Sequence, residues 1–424
     1  MKMSCTNCLE TYINQYMELW DFFGVIKVIK AGNVIYEMNH GFACLEFGIK
    51  NTMDTRFSLA SMSKQFTAFA IMILQDQKLL DIDKPANLFL PTNIKISDNI
   101  TVHHLLSHTS GLYNFYNFEN DFFGDKNRLT YSQKDFFNNY INKQPTQEPG
   151  SVFNYNNSNY NLLAWIIENV SGITYDQFLS KYIFDPVNME NSFLDDSDRV
   201  ITNRAFHYLK DYDNYIKCPY SNEKYSIGAG AIVSNCDDLY KWYLCLRDKK
   251  ILSKETYSRF LTENINHYCY GLEHNHVYST ERYAHGGDNL GISTYMQNFF
   301  DEDLCIIILS NNESINQYRL GNAIADILHN VAVEIPSKFD EFVLSKEEIE
   351  KYCGTFLKDK IKIESINGKL YFTRFKDSLH IELYPVDQDK FVRRYFNQQN
   401  PYIVTYDKNG LPQFFGYTLY TKFE

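Results

Sequence analysis

The feature that most constrains this chain is a long segment, residues 61–80, that contains neither Gly nor Pro. Within it, residues 68–74 have the sequence AFAIMIL and are apolar throughout. A helix that is apolar on every side must be surrounded by other elements, so the segment predicts a buried helix in the middle of a domain. The apolar run is much shorter than the roughly 20 residues that cross a bilayer, and we expect no membrane span.

Strand patterns occur at both ends of the region that contains this helix. The pattern predicts two strands at 22–38, two strands at 291–310, and helices at 160–170 and 316–333. Strands from both ends with helices between them favour an α+β fold. In that fold an antiparallel sheet, closed by both termini and flanked by helices, carries a helical insertion.

A different pattern follows toward the C-terminus. Residues 345–348, Ser-Lys-Glu-Glu, have capping-box spacing for one short helix. Strand-like runs follow, with Asn-Gly at 367–368 and 409–410, the preferred dipeptide of a tight hairpin. We therefore predict two domains, one over residues 1–338 and a separate, mostly β domain over 341–424.

Composition excludes some classes of partner and compartment. The net charge is −11, which argues against a nucleic-acid partner because such proteins carry a basic surface. The first 25 residues lack a signal-peptide pattern, and nine scattered cysteines fit a reducing compartment, so we expect a cytoplasmic protein. Cys5 and Cys8 form a lone C-x-x-C without a second ligand pair, and we predict neither a metal nor a cofactor.

Ser61 and Lys64, at the start of the predicted buried helix, are three residues apart and therefore share one helix face. A hydroxyl becomes a good nucleophile when a neighbouring base takes its proton. A lysine can do this if burial and the positive end of a helix lower its pKa, and N–H groups at a helix start can face a developing oxyanion. The spacing fits serine acyl transfer, although alone it more often marks a helix cap followed by a solvated lysine.

Two further motifs carry candidate residues. Tyr155 can pass on the serine proton, because a phenol beside an ammonium is held partly as phenolate, and Asn157 can donate to substrate or to Lys64. In the segment His285–Gly287 the glycines let a substrate lie against a strand edge, and His285 supplies a donor or a partial charge near the reacting group. Taken alone, these motifs also fit an aromatic-rich loop and a Gly-rich turn.

Together, Ser-x-x-Lys, Tyr-x-Asn and His-x-Gly occur in a fixed order with wide spacing, and the sequence resembles the serine β-lactamase-related family. That family includes class C β-lactamases, low-molecular-weight penicillin-binding proteins, D-aminopeptidases and related esterases. The resemblance covers residues 20–330, and its most specific segments are 100–112, 149–163, 228–242 and 285–296. Residues 352–356 resemble the lipocalin-like β domain appended to some D-aminopeptidases.

The resemblance implies a β-lactamase/transpeptidase-like domain followed by a C-terminal lipocalin-like β-barrel domain. It implies that Ser61 is the nucleophile, Lys64 its lysine partner and Tyr155 the base. It also places substrate-binding residues at the positions Asn157, His285, Gly287 and Asp288, with the backbone amides of Ser61 and Asp288 as the oxyanion hole. A cluster of histidines, His103, His104 and His108, suggests a metal site, but the same match makes them structural.

One departure from the family pattern bears on the activity. Where β-lactamases and penicillin-binding proteins carry Thr or Ser between the basic residue and the glycine, this chain has Gly286. The missing hydroxyl normally helps to hold a substrate carboxylate. We therefore expect a serine hydrolase that acts through an acyl-enzyme on a peptide, a D-amino-acid amide or an ester. The alternatives are a penicillin-binding sensor that acylates at Ser61 with little turnover, a true β-lactamase, and a structural protein with a relic site. The oligomeric state stays open.

Overall fold

The computed structural model describes residues 5–116, 128–336, 342–356, 361–374, 379–393, 402–406 and 412–415. The chain divides into two compact units. Unit 1 comprises Met1–Phe22, His207–Cys218 and Asn312–Glu424, and unit 2 comprises Phe23–Phe206 and Pro219–Asn311. Among the described helices, none has both the length and the apolar character that a bilayer crossing demands.

The helices are, in chain order, α1 Cys5–Leu19, α2 Lys64–Asp76, α3 Val102–Leu106, α4 Gln133–Phe136, α5 Asn157–Ser171, α6 Tyr175–Leu179, α7 Cys236–Arg247, α8 Lys254–Phe260, α9 Gln317–Leu328 and α10 Lys346–Tyr352. The strands of unit 2 are β1 Gly24–Lys30, β2 Asn33–His40, β3 Phe42–Cys44, β4 Ile49–Lys50, β5 Phe57–Ser58, β6 Phe193–Leu194, β9 Ile232–Ser234, β10 Glu273–Val277, β11 Thr280–Asn289, β12 Ile292–Phe299 and β13 Leu304–Ser310. The strands of unit 1 are β7 Tyr208–Asp211, β8 Asn214–Lys217, β14 Gly354–Phe356, β15 Ile361–Ile366, β16 Lys369–Arg374, β17 His380–Asp387, β18 Lys390–Arg393, β19 Tyr402–Tyr406 and β20 Pro412–Phe415.

The main sheet of unit 2 has six strands in the order β10-β11-β12-β13-β1-β2. β1 pairs antiparallel with both β2 and β13, so the first strands of the unit lie beside its last strand. Both predicted strand pairs are present: β1 with β2, and β12 with β13. The expected sheet closed by segments from both ends of the region is confirmed, as is the α+β class.

The predicted buried helix is α2, and its bounds differ from the expected 61–80. Every residue of α2 from Lys64 to Leu74 is buried, which confirms that it is surrounded on all sides. However, Ser61 lies in a 3₁₀ turn, Ala60–Ser63, that precedes the α-helix. The helix ends at Asp76, and Lys78 adopts a left-handed conformation, with φ of 60°, which reverses the chain.

Two other predicted helices are present with shifted ends. α5 contains the expected segment 160–170 and is capped by Gly172, whose φ of 73° is the left-handed conformation that glycine adopts without strain. α9, in unit 1, is shorter than the predicted 316–333 because the helix ends at Leu328.

The C-terminal sheet of unit 1 is an antiparallel meander, β14 to β20 in sequence order. Its edge strands do not pair with each other over the described residues, and the sheet is a curled half-barrel, in agreement with the predicted barrel domain. The capping box at Ser345 is formed. Asn367 and Gly368 form the β15–β16 turn with positive φ, as predicted, whereas Asn-Gly 409–410 lies outside the described residues.

Unit 1 also takes in a hairpin from the middle of the chain, β7–β8. Tyr212, at its tip, donates its backbone N–H to the carbonyl of His380 at 2.9 Å. The Tyr212 ring stacks on the His380 ring, with centroids 4.2 Å apart. Asp211 Oδ1 accepts from the His380 backbone N–H at 2.8 Å. The hairpin therefore packs on the C-terminal sheet, a contact that the sequence pattern does not predict.

Candidate active site

Ser61 lies in a strained turn at the end of β5. Ala60, immediately before it, has a φ of 47°, a left-handed conformation that costs an L-residue roughly 1–2 kcal/mol. The turn is held by the Met62 N–H, which donates to the Leu59 carbonyl at 3.3 Å. Ser61 is partly exposed, whereas the residues that follow it through Leu74 are buried. The turn therefore leaves the Ser61 hydroxyl accessible above a buried helix.

Lys64 is fully buried beside Ser61. Its Nζ lies 3.0 Å from Ser61 Oγ and 2.8 Å from the carbonyl oxygen of Ala229. Burial lowers the pKa of Lys64 well below the usual range of a lysine, and no carboxylate within the described ranges forms an ion pair with it. The predicted neighbourhood of Ser61 and Lys64 is therefore present, with burial as the cause of the lowered pKa.

The ring of Tyr155 lies beside Lys64 Nζ. The centre of its ring lies 4.8 Å from Lys64 Nζ. Burial raises the pKa of Tyr155 well above its usual range, and a smaller effect of the Ser61 hydroxyl lowers it. Its hydroxyl is buried and has no hydrogen bond of good geometry within the described part of the chain. The phenol is therefore protonated at rest, which is contrary to the expected partial phenolate.

Asn157 is the first residue of α5 and is partly exposed. Its backbone N–H donates to Asn114 Oδ1 at 3.3 Å. The expected alternative, a bond from the Asn157 side chain to Lys64, is not formed, because Lys64 Nζ contacts Ser61 and Ala229 instead. Of the two roles considered, contact with a substrate is the one that the geometry leaves open.

His285 is buried and has both ring nitrogens engaged. Nδ1 lies 2.6 Å from the Gly286 carbonyl and so donates to it, and Nε2 accepts from the Tyr268 hydroxyl at 3.1 Å. Burial, helped by nearby Lys64, lowers the pKa of His285 to about 3. The ring is therefore neutral and presents no free donor, so the expected direct donation to the reacting group requires one of these bonds to break.

Gly287 is packed against the turn that carries Ser61. A Cβ atom at Gly287 would lie 2.1 Å from the Leu59 carbonyl oxygen and 2.4 Å from Thr294 Oγ1. Thr294 Oγ1 itself donates to the Leu59 carbonyl at 2.8 Å. The glycine is thus required for the close approach of β11 to the turn that carries Ser61, which is a different reason from the predicted accommodation of a substrate.

On the side away from β12, the β11 segment 285–289 pairs with no strand that the structure describes. β10 pairs with β11 only from Thr280 to Ala284, and β12 pairs with its other side. No other strand in the described part of the chain pairs with residues 285–289. Asp288, whose backbone amide is an expected oxyanion-hole donor, lies in this segment, and its side chain is exposed. An extended substrate can therefore add to the sheet here.

The three histidines of the 100–112 segment have separate partners rather than a common centre. His103 Nδ1 lies 2.7 Å from the Tyr270 hydroxyl, and His104 Nδ1 accepts from the Thr101 N–H in a capping box. His108 Nδ1 accepts from the Asn156 N–H at 3.1 Å. Within the described ranges, no set of side chains suited to a metal ion occurs.

Three contacts at the site are missed by motif reasoning. The Ala229 carbonyl accepts from Lys64, Thr294 joins β12 to the turn that carries Ser61, and Tyr268 holds the His285 ring. A backbone carbonyl carries no residue signature, and a lone Thr or Tyr in an aromatic-rich chain is not distinctive. The segment 228–242, singled out by its family resemblance, was the one signal for Ala229.

A serine hydroxyl beside a buried lysine, next to the end of a sheet strand that no described strand extends on one side, is typical of one class of serine hydrolases. Residues 9–330 match the family model described as Beta-lactamase, and the chain belongs to that family. The resemblance stated from the motifs is thereby confirmed. Members of this family are hydrolases of the serine type.

Three relatives show the range of the family. Penicillin-binding protein 4* of Bacillus subtilis is 26% identical over 430 residues, which cover 93% of each chain. Teichoic acid D-alanine hydrolase of Staphylococcus aureus is 26% identical over 74% of this chain and 77% of its own. D-aminopeptidase of Gluconobacter oxydans is 23% identical over 72% of this chain and 58% of its own.

Two solved structures share the fold. A penicillin-binding protein from Bacillus halodurans superposes with a TM-score of 0.65 at 25% identity, over 74% of this chain and 99% of that one. The octameric penicillin-binding protein homologue from Pyrococcus abyssi superposes with a TM-score of 0.68 at 24% identity, over 97% of this chain and 95% of that one. The second match extends through the C-terminal region as well.

Proposed function

We propose that this protein hydrolyses a peptide, a D-amino-acid amide or an ester through an acyl-enzyme on Ser61. The observation that carries the proposal is the 3.0 Å distance between Ser61 Oγ and the Nζ of a buried lysine, whose pKa burial lowers well below its usual range. Two relatives named for D-alanine or D-amino-terminal substrates support this substrate class. In the proposed reaction, a serine hydroxyl and a neutral amine form the nucleophile–base pair that acyl transfer needs.

In the acylation step, Ser61 Oγ attacks the carbonyl carbon while the Lys64 amine takes its proton. The Ala229 carbonyl, which accepts from Lys64 Nζ, orients the amine so that its lone pair faces Ser61. The carbonyl oxygen gains negative charge, and the amides of Ser61 and Asp288 are our assigned donors to it. The leaving amine or alkoxide takes a proton from Tyr155, whose hydroxyl is protonated at rest and has no other good partner in the described chain.

In the deacylation step, the same groups act on water. Tyr155, left as phenolate by the first step beside the newly formed Lys64 ammonium, accepts a proton from the attacking water. The hydroxide adds to the acyl carbon, and Ser61 leaves with the proton that Lys64 holds. Both residues return to their starting protonation states. Asn157 and the side of 285–289 that faces away from β12 are assigned to the substrate chain.

A second candidate, β-lactamase activity, is disfavoured at Gly286. This residue has no hydroxyl to hold a substrate carboxylate, and a hydrogen bond to a charged group contributes roughly 1.5–3 kcal/mol. His285, which is neutral and engaged on both nitrogens, adds no positive charge there. Ester or amide turnover should therefore exceed cephalosporin turnover by at least about tenfold.

The test combines labelling with a substrate panel. Intact-protein mass spectrometry after a fluorophosphonate should show one adduct on Ser61, and Ser61→Ala should show none. Steady-state rates on nitrophenyl esters, D- and L-alanine p-nitroanilides and nitrocefin then separate the activities. A single burst without sustained product would favour the acylating sensor, and nitrocefin turnover equal to that of a simple ester would contradict the argument from Gly286.

A further inference from the structure

His108 has no role in the reaction described above, yet it lies within the same cluster of side chains. It is fully buried, and its φ of 59° is unusual for a residue with a side chain. Its ring packs against the Tyr155 ring, with centroids 4.5 Å apart and the planes tilted by 40°. The rings of Tyr160 and Tyr268 pack around it at 5.0 and 4.8 Å. His108 is thus the centre of the aromatic cluster that surrounds the proposed relay tyrosine.

The hydrogen bonds of His108 hold the backbone on both sides of Tyr155. The Asn154 N–H donates to the His108 carbonyl oxygen at 2.8 Å. The Asn156 N–H donates to the ring atom Nδ1 at 3.1 Å. Because these donors belong to the residues directly before and after Tyr155, the position of the tyrosine backbone is fixed relative to one histidine.

The bond to Nδ1 also fixes the protonation state of the ring. A nitrogen that accepts a hydrogen bond carries no proton, so the neutral ring must carry its proton on Nε2. That atom is buried and has no hydrogen-bond partner in the described part of the chain. Burial lowers the pKa of His108 well below its usual range, which keeps Nδ1 available as an acceptor. The Nε2–H donor of His108 is thus left without a partner in the described chain, and Nδ1 is kept as the acceptor for the Asn156 N–H.

We infer that His108 is a positioning residue for Tyr155, which holds the phenol at the distance from Ser61 and Lys64 that proton transfer requires. The inference rests on the proposed function, because it assigns His108 an effect only through Tyr155. A displacement of about 1 Å in a reacting group can lower a rate by about 10²-fold. Loss of the histidine should therefore slow acylation strongly and change KM little.

Three substitutions separate the acceptor from the ring and from the fold. His108→Ala removes both the acceptor and the packing. His108→Asn keeps an acceptor on the γ carbon, in the place of Nδ1, and asparagine tolerates positive φ. His108→Gln carries the same amide one bond further out and loses that acceptor. Single-turnover acylation by D-alanine p-nitroanilide or D-alanine methyl ester, whose leaving groups need the Tyr155 proton, should fall by about 10²-fold in His108→Ala and His108→Gln and by less than about tenfold in His108→Asn.

The decisive measurement repeats the substitutions in a Tyr155→Phe background. If His108 acts through the phenol, its loss should lower the acylation rate less than about threefold once the hydroxyl is gone, because the effects of residues that act as a unit are not additive. An equal loss in both backgrounds would mean that His108 supports the fold in general and would overturn the inference. Circular dichroism checks each variant, and the Asn/Gln pair decides the question if His108→Ala does not fold.

The failure of this inference differs from a failure of the proposed function. If the unsubstituted protein forms no Ser61 adduct with the fluorophosphonate or with p-nitrophenyl acetate, the acyl-enzyme proposal is wrong. If it forms the adduct and all three His108 variants are acylated by D-alanine p-nitroanilide or D-alanine methyl ester at the rate of the unsubstituted protein, the acyl-enzyme proposal stands and the positioning role is refuted.

Discussion

Gly287→Ala is the substitution whose effect the geometry specifies most closely. The added Cβ would lie 2.1 Å from the Leu59 carbonyl oxygen and 2.4 Å from Thr294 Oγ1. An ordinary contact is longer than 3.4 Å, so β11 and the turn that carries Ser61 have to separate by about 1 Å, the difference between those distances. We expect a loss of stability of about 1–3 kcal/mol, the usual cost of overpacking. Because the proposed oxyanion hole joins β11 to this turn, acylation should also slow by about 10²-fold.

A matched control is available at Gly230. A Cβ there would meet Ala60 at 3.6 Å, which is ordinary van der Waals contact. Gly230→Ala should therefore keep the acylation rate within about threefold and gain up to about 1 kcal/mol through the unfolded state. Urea unfolding gives the stabilities, and single-turnover acylation by p-nitrophenyl acetate gives the rates. If Gly287→Ala acylates as fast as Gly230→Ala, close approach of β11 to the turn does not set the catalytic geometry.

Three further predictions follow from the protonation states of buried groups. Lys64→Ala, Tyr155→Phe and the double variant should each lose about 10²–10⁴ in kcat; fully multiplicative losses would show that the two residues act independently. The pKa of His285 is lowered to about 3, so the ring stays neutral, and His285→Asn should leave the shape of the pH–rate profile between about pH 5 and 8 unchanged; a lost inflection near pH 6.5 would contradict this. Burial, with nearby Asp195, raises the pKa of Glu223 to about 7. The stability that this raised pKa contributes is fully present below pH 4.5, where Glu223 is protonated in both states, and it is lost as pH rises through about 7. Glu223→Gln, which stays neutral at every pH, should therefore raise the thermal midpoint more at about pH 8 than at about pH 5.

Elements whose signals are local were predictable from the sequence. The Asn367-Gly368 hairpin, the capping box at Ser345 and the left-handed cap at Gly172 depend on the conformational preferences of one or two residues. The α2 segment 68–74 is likewise a composition signal. Its start was predicted three residues early, because the 3₁₀ turn at Ser61 depends on the packing of β5 and the Leu59 carbonyl rather than on helix propensity.

Contacts between distant parts of the chain were not predictable in this way. The β7–β8 hairpin belongs with the C-terminal sheet although more than a hundred residues separate them in sequence. Thr294 and Leu59, which meet at the turn that carries Ser61, are separated by 235 positions. Such pairs follow from the topology of the sheet, and no spacing rule in a single sequence encodes them. The motif residues were identified through their order and their family resemblance, because members of one family share the topology that brings these residues together.

The protonation state of Lys64 and Tyr155 shows how burial decides a question that sequence leaves open. From the residue types alone, a phenol beside an ammonium suggested an ion pair. In the structure the desolvation of both groups lowers the pKa of Lys64 and raises that of Tyr155, which favours the neutral amine and the neutral phenol. The ammonium–phenolate pair and the pair of neutral groups contain the same number of protons, and they differ only in whether one proton lies on Lys64 or on Tyr155. In the proposed mechanism, the lowered pKa of Lys64 favours the form that can accept the Ser61 proton, and charges separate only when the substrate carbonyl becomes a developing oxyanion.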